Sequence, residues 1–283
     1  MKHLKIERDL IIVGLGFVGQ ANALALLKMD FNVWGIDVKK VQNIYKDHDF
    51  KRIKILKLEK ISNYKKNSKF TCPVLVCVNA PTISKRPFQN LAAVENALKM
   101  GRRLSSGPVI LRTTLLSKFL DQLDFDIYMP EFLHKKYAVI ECLKPKFVVL
   151  GFNKEIVKKN IPFFVKKLLT QKQVRLFICS PQEASFVKYT LNLFNALRIS
   201  FINEIGDFIK QNGFNPHRVI DFIFQKKSYL RYGKSFSGNC LPKDIKAFAD
   251  EHGSLLFTQI AKTNNIHKTK EGKLRRIFST KES

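Results

Sequence analysis

The stretch SFSGNCLPKDIKAFA, Ser235 to Ala249, sets Cys240 between a glycine-bearing turn and a Pro-Lys-Asp. A thiol on such a turn, with Lys243 three residues on, has the surroundings of a nucleophile. The thiolate is the reactive form, and nearby cations favour it. An ordinary half-buried cysteine fits the same residues. Further upstream, Lys188 and Asn192 are four apart in a helical pattern and share a face. They are either a cation and an amide aimed together at a developing oxyanion, or a solvent-facing polar pair. Glu131 follows Pro130 directly after an apolar run, as a helix-start charge or as a site carboxylate.

A second constellation opens the chain. LIIV, Leu10 to Val13, is sized for a buried parallel strand, and G-L-G-F-V-G follows it: Gly14, Gly16, Phe17, Val18 and Gly19. The first glycine permits a tight turn, the second lets a pyrophosphate approach the backbone, and the third lets helix pack on strand. Ala21 to Met29 supplies the helix, whose N-terminal amides face the phosphates. The next strand ends at Asp37, where an acid bonds the adenosine ribose and repels a 2′-phosphate. NAD is therefore favoured over NADP.

Positioning these residues takes an alternation of strands and helices. VLVCVNAPT, Val74 to Thr82, and GPVILRTTLL, Gly107 to Leu116, read as buried strands, with helical periodicity in NLAAVENALKMGRRL between them. This alternation predicts a Rossmann-type, doubly wound parallel sheet of the α/β class. Asn79, Ala80, Pro81, Thr113 and Thr114 fall at carboxyl ends of strands, where such sheets bind ligands. From Pro181 one long helical pattern runs to a stop at Gly213. Phe186, Leu193, Leu197 and Phe201 share a stripe on it and are expected to pack as core. The expected domains are an NAD-binding domain over 1–180, an all-helical domain with a long central helix and the Cys240 loop over 181–268, and a basic tail over 269–283.

Composition bounds the rest. With 283 residues and 45% apolar content, the chain can bury a sizeable core. Cys72, Cys77, Cys142, Cys179 and Cys240 form no CxxC pair and no zinc spacing, which fits reduced thiols in a cytoplasm. The six histidines are scattered, which argues against a metal site. The net charge of +27 reads as a lysine-biased solvated surface rather than a nucleic-acid site, since no aromatic-interleaved basic motif accompanies it. The glycines at fixed offsets argue against a secretion signal at the N-terminus, and no run reaches the roughly 18 residues of a membrane span.

With GLGFVG, GID, CVNAP, RTT, PEFL, KYTLN, INEIG and GNCLPKD in this order, the chain resembles the UDP-glucose/GDP-mannose dehydrogenase family from about residue 9 to 268. The resemblance implies NAD-dependent oxidation of the C6 alcohol of a nucleotide sugar to the acid, in the service of polysaccharide biosynthesis. UDP-glucose is the expected substrate, and Tyr229, Leu230 and Arg231 before the cysteine loop keep GDP-mannose open. It implies Cys240 as nucleophile through a thiohemiacetal and a thioester. Lys188 and Asn192 would stabilise the negative oxygen, and Thr114, Glu131 and Asp244 would hold the catalytic water. Phe132, Leu133, Tyr229, Arg231, Gly238 and Lys243 would contact substrate, while Pro81 and Thr114 join the cofactor loop. Asn203 matches a family position near the helix core. A homodimer through the helix over 182–211 is also implied.

Departures from the family pattern are specific. Lys135 stands where relatives carry a glutamate used in thioester hydrolysis, so turnover could stall at the thioester. Ser235 and Ser237 replace glycines and would be strained wherever φ must be positive. Ala80, Ser185 and LLSKF also depart from the usual residues. The chain stops where the family's C-terminal nucleotide-binding domain should begin, so a partner chain would supply that domain or the protein would be a remnant. Two other functions stay open: a non-catalytic NAD-binding scaffold, and a simple hydroxyacid dehydrogenase that needs no cysteine.

Overall fold

The computed structural model describes residues 8–57, 70–83, 89–153, 161–171, 173–225, 229–238 and 240–279, with side chains as far as residue 271. The lysine-rich stretch over 58–69 and Asn239 of the GNC motif lie outside the described residues.

The described residues fall into two compact units, within Met1–Ala80 plus Asn90–Lys188 and within Pro81–Gln89 plus Tyr189–Ser283. The first unit is built on one sheet. Its strands are β1 (Asp9–Val13), β2 (Asn32–Ile36), β3 (Lys54–Ile55), β4 (Val74–Val76), β5 (Val109–Leu111), β6 (Ile127–Tyr128), β7 (Phe147–Phe152) and β8 (Arg175–Cys179). They lie in the order β3-β2-β1-β4-β5-β6-β7-β8. All neighbours pair parallel except β6 with β7, which run antiparallel. β4 and β5 are buried throughout, as apolar runs covered on both faces should be. Alternate residues serve different layers: Ile11, Val74 and Leu111 join one core cluster, and Ile12, Leu75 and Ile110 the other.

Helices α1 (Phe17–Lys28), α2 (Ala92–Leu104), α3 (Ala138–Leu143) and α4 (Phe163–Leu169) belong to this unit. Every residue of α1 from Gly19 to Leu27 is buried, and its alanines let it lie close to neighbours. α2 shows the one-sided pattern instead, burying Val94, Ala97, Leu98, Gly101 and Leu104. The runs read as strands over 74–82 and 107–116 are strand only as far as Val76 and Leu111. Beyond these points side-chain bonds take over, as Thr113 Oγ1 donates to Val78 O at 2.7 Å.

The long helix α5 (Pro181–Gln211) begins in the first unit and continues into the second. Glu183 secures its start by accepting from the N–H and hydroxyl of Ser180, both at 2.8 Å. Gly213 ends it with φ of +79°. The expected core stripe is corrected here. Phe186, Phe194, Phe201 and Phe208 are 44%, 54%, 51% and 53% exposed, and Leu197 is only half-buried. Leu193 packs as expected, and the packed face otherwise carries Ala184, Tyr189, Ala196, Ile199 and Ile202. Its small residues allow close approach, so the bulky aromatics project from the opposite side. The second unit continues with α6 (Pro216–Phe224), α7 (Leu241–His252) and α8 (Leu255–Ser279), of which α7 and α8 pack together. The basic stretch read as a tail is thus helical through Ser279. Among the described residues, no helix is long and apolar enough to cross a membrane.

Candidate active site

Each glycine of the first loop has a separate steric reason. Gly14 has φ of +92°, and a Cβ there would stand 2.9 Å from Cys77 O. A Cβ on Gly19 would fall 1.8 Å from Gly14 O, which leaves no room for another residue. A Cβ on Gly16 would meet nothing within 4 Å, and Gly16 is exposed. The loop is therefore tight on the sheet side and open on the ligand side, as a pyrophosphate cradle at the start of α1 requires. Asp37, at the end of β2, accepts from Leu15 N at 2.7 Å and Lys39 N at 2.8 Å.

Two residues that the motif did not single out complete this cradle. Buried Gln20 donates to Leu15 O at 2.8 Å and Gln42 O at 2.7 Å. Tyr45 donates its hydroxyl to Phe17 O at 2.9 Å, and its ring lies 5.4 Å from that of Phe17. Burial raises the Tyr45 pKa further above its ordinary value, so the hydroxyl remains a donor. Val18 is half-buried beside them.

Glu131 lies just past the end of β6 and is buried. Lys188, also buried, brings Nζ to 3.2 Å from Glu131 Oε1, and Leu133 N donates to Oε2 at 2.7 Å. Burial alone would raise the carboxyl pKa, but the Lys188 charge and the Leu133 N–H outweigh it and hold the group below its ordinary value. The Lys188 ammonium also sits 5.5 Å from the centre of the Phe132 ring. Arg112, following β5, is buried too, and its Nε has no hydrogen-bond partner among the described residues. It adds positive potential at Glu131 and went unremarked in the sequence because RTT reads as a strand end. Thr114 is half-buried two residues on.

One turn further along α5, Asn192 is buried and donates from Nδ2 to Asp244 Oδ2 at 2.7 Å. The solvent-facing reading of Lys188 and Asn192 is therefore excluded. Asp244 is 1% exposed, and Lys243 Nζ approaches its Oδ1 to 2.9 Å. That approach is a charge contact, and Oδ1 has no hydrogen bond among the described residues. Thr82 donates its hydroxyl to Lys243 O at 3.2 Å, after an exposed Pro81.

Cys240 is exposed at the N-terminal cap of α7, and its carbonyl accepts from Asp244 N at 2.9 Å. The other thiols differ. Cys77 and Cys142 are buried and pushed up to about 12 by burial, despite the opposing charge of Arg112. Cys179 is raised to about 11 by partial burial. None of the five cysteines is in a disulfide. In the approach to Cys240, Gly238 takes φ of +83°, whereas neither Ser235 nor Ser237 has positive φ. The expected serine strain is absent. Tyr229 does adopt a left-handed φ of 63°, and the Arg198 guanidinium lies 6.0 Å from its ring. Arg231 and Lys135 are exposed. Elsewhere, Asp47, His48 and Asp49 place possible metal-ligand atoms within 4.8 Å of one another. Lys28 already pairs with both acids, at 3.1 and 2.8 Å.

Three groupings of the expected residues thus form: the glycine loop with Asp37, Glu131 with Lys188, and Asn192 with Asp244 and Lys243. Comparison with known proteins bears on them. The chain is 28% identical over 286 residues to the UDP-glucose 6-dehydrogenase of Campylobacter jejuni subsp. jejuni serotype O:2, covering 92% of this chain and 72% of that protein. It is 25% identical over 287 residues to the GDP-mannose 6-dehydrogenase of Pseudomonas syringae pv. syringae, covering 86% of this chain and 64% of the relative. A solved UDP-glucose dehydrogenase from the archaeon Pyrobaculum islandicum shares the fold with a TM-score of 0.75, at 24% identity over 94% of this chain and 69% of that one. Residues 182–268, which hold Lys188, Asn192, Cys240 and Asp244, match the family model described as UDP-glucose/GDP-mannose dehydrogenase family, central domain. Over that stretch the chain is similar to the central domain of this family.

Proposed function

We propose that the protein is an NAD-dependent nucleotide-sugar 6-dehydrogenase, with UDP-glucose the first substrate to test and GDP-mannose the second. The observation that carries this reading is the pair of buried contacts one turn apart on α5, Lys188 with Glu131 and Asn192 with Asp244. Buried polar side chains of this kind are costly as mere structure. They are suited to stabilising an oxyanion and holding water.

The glycine loop fits NAD⁺. Gly16 leaves open space, the start of α1 offers amides to a pyrophosphate, and Asp37 directly follows β2. When bound, the cofactor accepts one hydride in each of two oxidations. The residues of the chain do the remaining work. In the first oxidation the C6 alcohol loses a hydride and a proton and becomes an aldehyde. Cys240 Sγ then adds to that carbon, forming a C–S bond, and Lys188 and Asn192 stabilise the resulting oxyanion. Loss of the second hydride converts this thiohemiacetal to a thioester. Glu131, Asp244 and Thr114 hold the water that attacks it. The C–S bond breaks, the acid leaves and the thiolate is regenerated. Phe132, Leu133, Gly238, Lys243, Tyr229 and Arg231 are proposed to line the sugar nucleotide, and Pro81 and Val18 the cofactor loop.

The odd count and scattered spacing of the five cysteines support placing the protein in a reducing cytoplasm. The exposed aromatic stripe of Phe186, Phe194, Phe201 and Phe208 supports a homodimer through α5, which light scattering would register as twice the chain mass. The activity is tested by incubating the protein with NAD⁺ and each nucleotide sugar. Two NADH per sugar acid formed is the expected result. NADH formation that survives Cys240→Ser at full rate would favour a simple hydroxyacid dehydrogenase. NAD⁺ binding without any turnover would favour a non-catalytic scaffold.

A further inference from the structure

The segment from Tyr232 to Phe236 runs just before Cys240 and has no helix or strand of its own. Irregular backbone in a packed unit must still satisfy its N–H and C=O groups. Here two buried asparagines do so, each acting as a peptide-like donor and acceptor at once. Asn203 on α5 accepts from Gly233 N at 2.9 Å and donates to Lys234 O at 2.7 Å. Asn264 on α8 accepts from Phe236 N at 2.7 Å and donates to Phe236 O at 3.0 Å. Asn203 and Asn264 are 1% and 4% exposed, so no water competes for these bonds.

The same two helices hold the flanks. Glu271 of α8 accepts from both Ser235 N and the Ser235 hydroxyl. Tyr232 donates its hydroxyl to Asp207 of α5 at 2.8 Å, and Asp207 is also paired with Lys270 of α8. Gly206 leaves room for the Tyr232 ring, since a Cβ there would lie 1.9 Å from Tyr232 Cδ2. Gly233 and Gly238 bracket the segment with φ of +95° and +83°. These glycines give the chain turns that other residues resist, and the side-chain bonds between them fix what the glycines would leave loose.

We propose that Asn264 is a positioning residue for the Cys240 loop: it fixes Phe236, and with Asn203 sets the path on which Gly238 and Cys240 are presented. The proposal rests on Cys240 being the nucleophile only for its catalytic consequence; the clamp itself stands on the hydrogen bonds. Its mark is that one helix, distant in sequence, governs the order of a short segment without contacting substrate.

The experiment uses the full chain and compares Asn264→Ala with Asn265→Ala, a change at an exposed position one residue away on α8. Hydrogen exchange and Cys240 alkylation by iodoacetamide are read on both. In Asn264→Ala the peptide covering 232–240 should exchange about tenfold faster or more, as expected when a buried backbone pair loses both partners. The sheet and α5 should keep their protection, and the alkylation rate at Cys240 should change about threefold or more. Asn265→Ala should change neither. Asn264→Asp provides an internal reversal. The ionised carboxyl can still accept from Phe236 N but cannot donate to Phe236 O, whereas the protonated form can do both. Protection of 232–240, corrected for intrinsic exchange, should therefore recover as pH is lowered. Asn264→Asp also serves if the alanine variant does not fold. Unchanged exchange at 232–240, acceleration spread evenly over α5 to α8, or no recovery at low pH would overturn the clamp. If the unmodified protein forms no NADH, the dehydrogenase reading fails while these measurements still decide the clamp.

Discussion

The glycine loop and the Cys240 loop solve one problem, holding irregular backbone in a fixed path, by opposite means. At the glycine loop the constraint is steric and local: Gly14 turns, Gly19 touches Gly14 O, and Asp37 ties Leu15 from the neighbouring strand. At the Cys240 loop the constraint is bonding from afar, with Asn203, Asp207, Asn264 and Glu271 reaching in from two helices. Sterically held loops are written in a few adjacent residues. Bond-held loops are spread over dozens, and each member can be weakened separately.

The largest expected effect separates the two loops outright. Cys240→Ser should lower turnover by about 10³-fold or more while leaving NAD⁺ affinity unchanged. Gly19→Ala should do the reverse in kind. It forces a methyl against backbone, destabilising the fold by about 1–3 kcal/mol and weakening NAD⁺ binding. Gly16→Ala should weaken NAD⁺ binding without the stability cost, because a Cβ there meets no neighbour. Calorimetry and thermal unfolding on the three variants read this division. Equal melting temperatures for Gly19→Ala and Gly16→Ala would sink the steric account.

Next in size is the buried pair. Lys188→Met leaves Glu131 buried without its counter-charge, and losing one partner of such a pair costs about 3–5 kcal/mol. The sign with pH reverses as well. In the unmodified protein Glu131 is held below its ordinary pKa, so its contribution is present above the ordinary carboxyl range and lost as pH falls through the lowered value. Without Lys188, burial dominates and raises the pKa. Stability should then be greatest at low pH and fall as pH rises through the raised value. Urea unfolding at pH 5 and pH 8 should show the variant weaker at pH 8, with little change in the parent. A variant equally stable at both would mean that another cation, such as Arg112, suffices.

The same contrast explains what could be read from the sequence. GLGFVG, the apolar runs and Asp37 announce the sheet and its loop because each signal is local. Cys240, Lys188, Asn192 and Asp244 stood out in the sequence as candidates for chemistry, and the α5 spacing put two of them on one face. Their partners were not all legible, since Asn264 meets Phe236 across 28 positions and nothing near either residue marks the bond. Arg112 was hidden in a strand-like run. The aromatic stripe of α5 misled for a physical reason. Periodicity shows that a face is apolar, but not whether that face packs within the chain, and here the alanine- and asparagine-bearing face packs instead.

The smallest effect concerns exposed Lys135 and tests whether bond-held order is enough for complete turnover. Lys135 follows PEFLH and is exposed, in a position where relatives are expected to use a carboxylate for hydrolysis. A lysine supplies positive potential, which favours the thiolate and the oxyanion, but at neutral pH it cannot take a proton from water. If hydrolysis limits the rate, a thioester on Cys240 should accumulate and appear by intact mass as an adduct of one oxidised sugar nucleotide. Lys135→Glu should then lower the adduct fraction and raise kcat by a few-fold, at the scale of a modest general-base contribution. Because Lys135 is exposed, its replacement should leave the melting temperature within about a degree, as for other exposed substitutions. An adduct-free parent whose kcat is unchanged by Lys135→Glu would show that Glu131 and Asp244 alone activate the water.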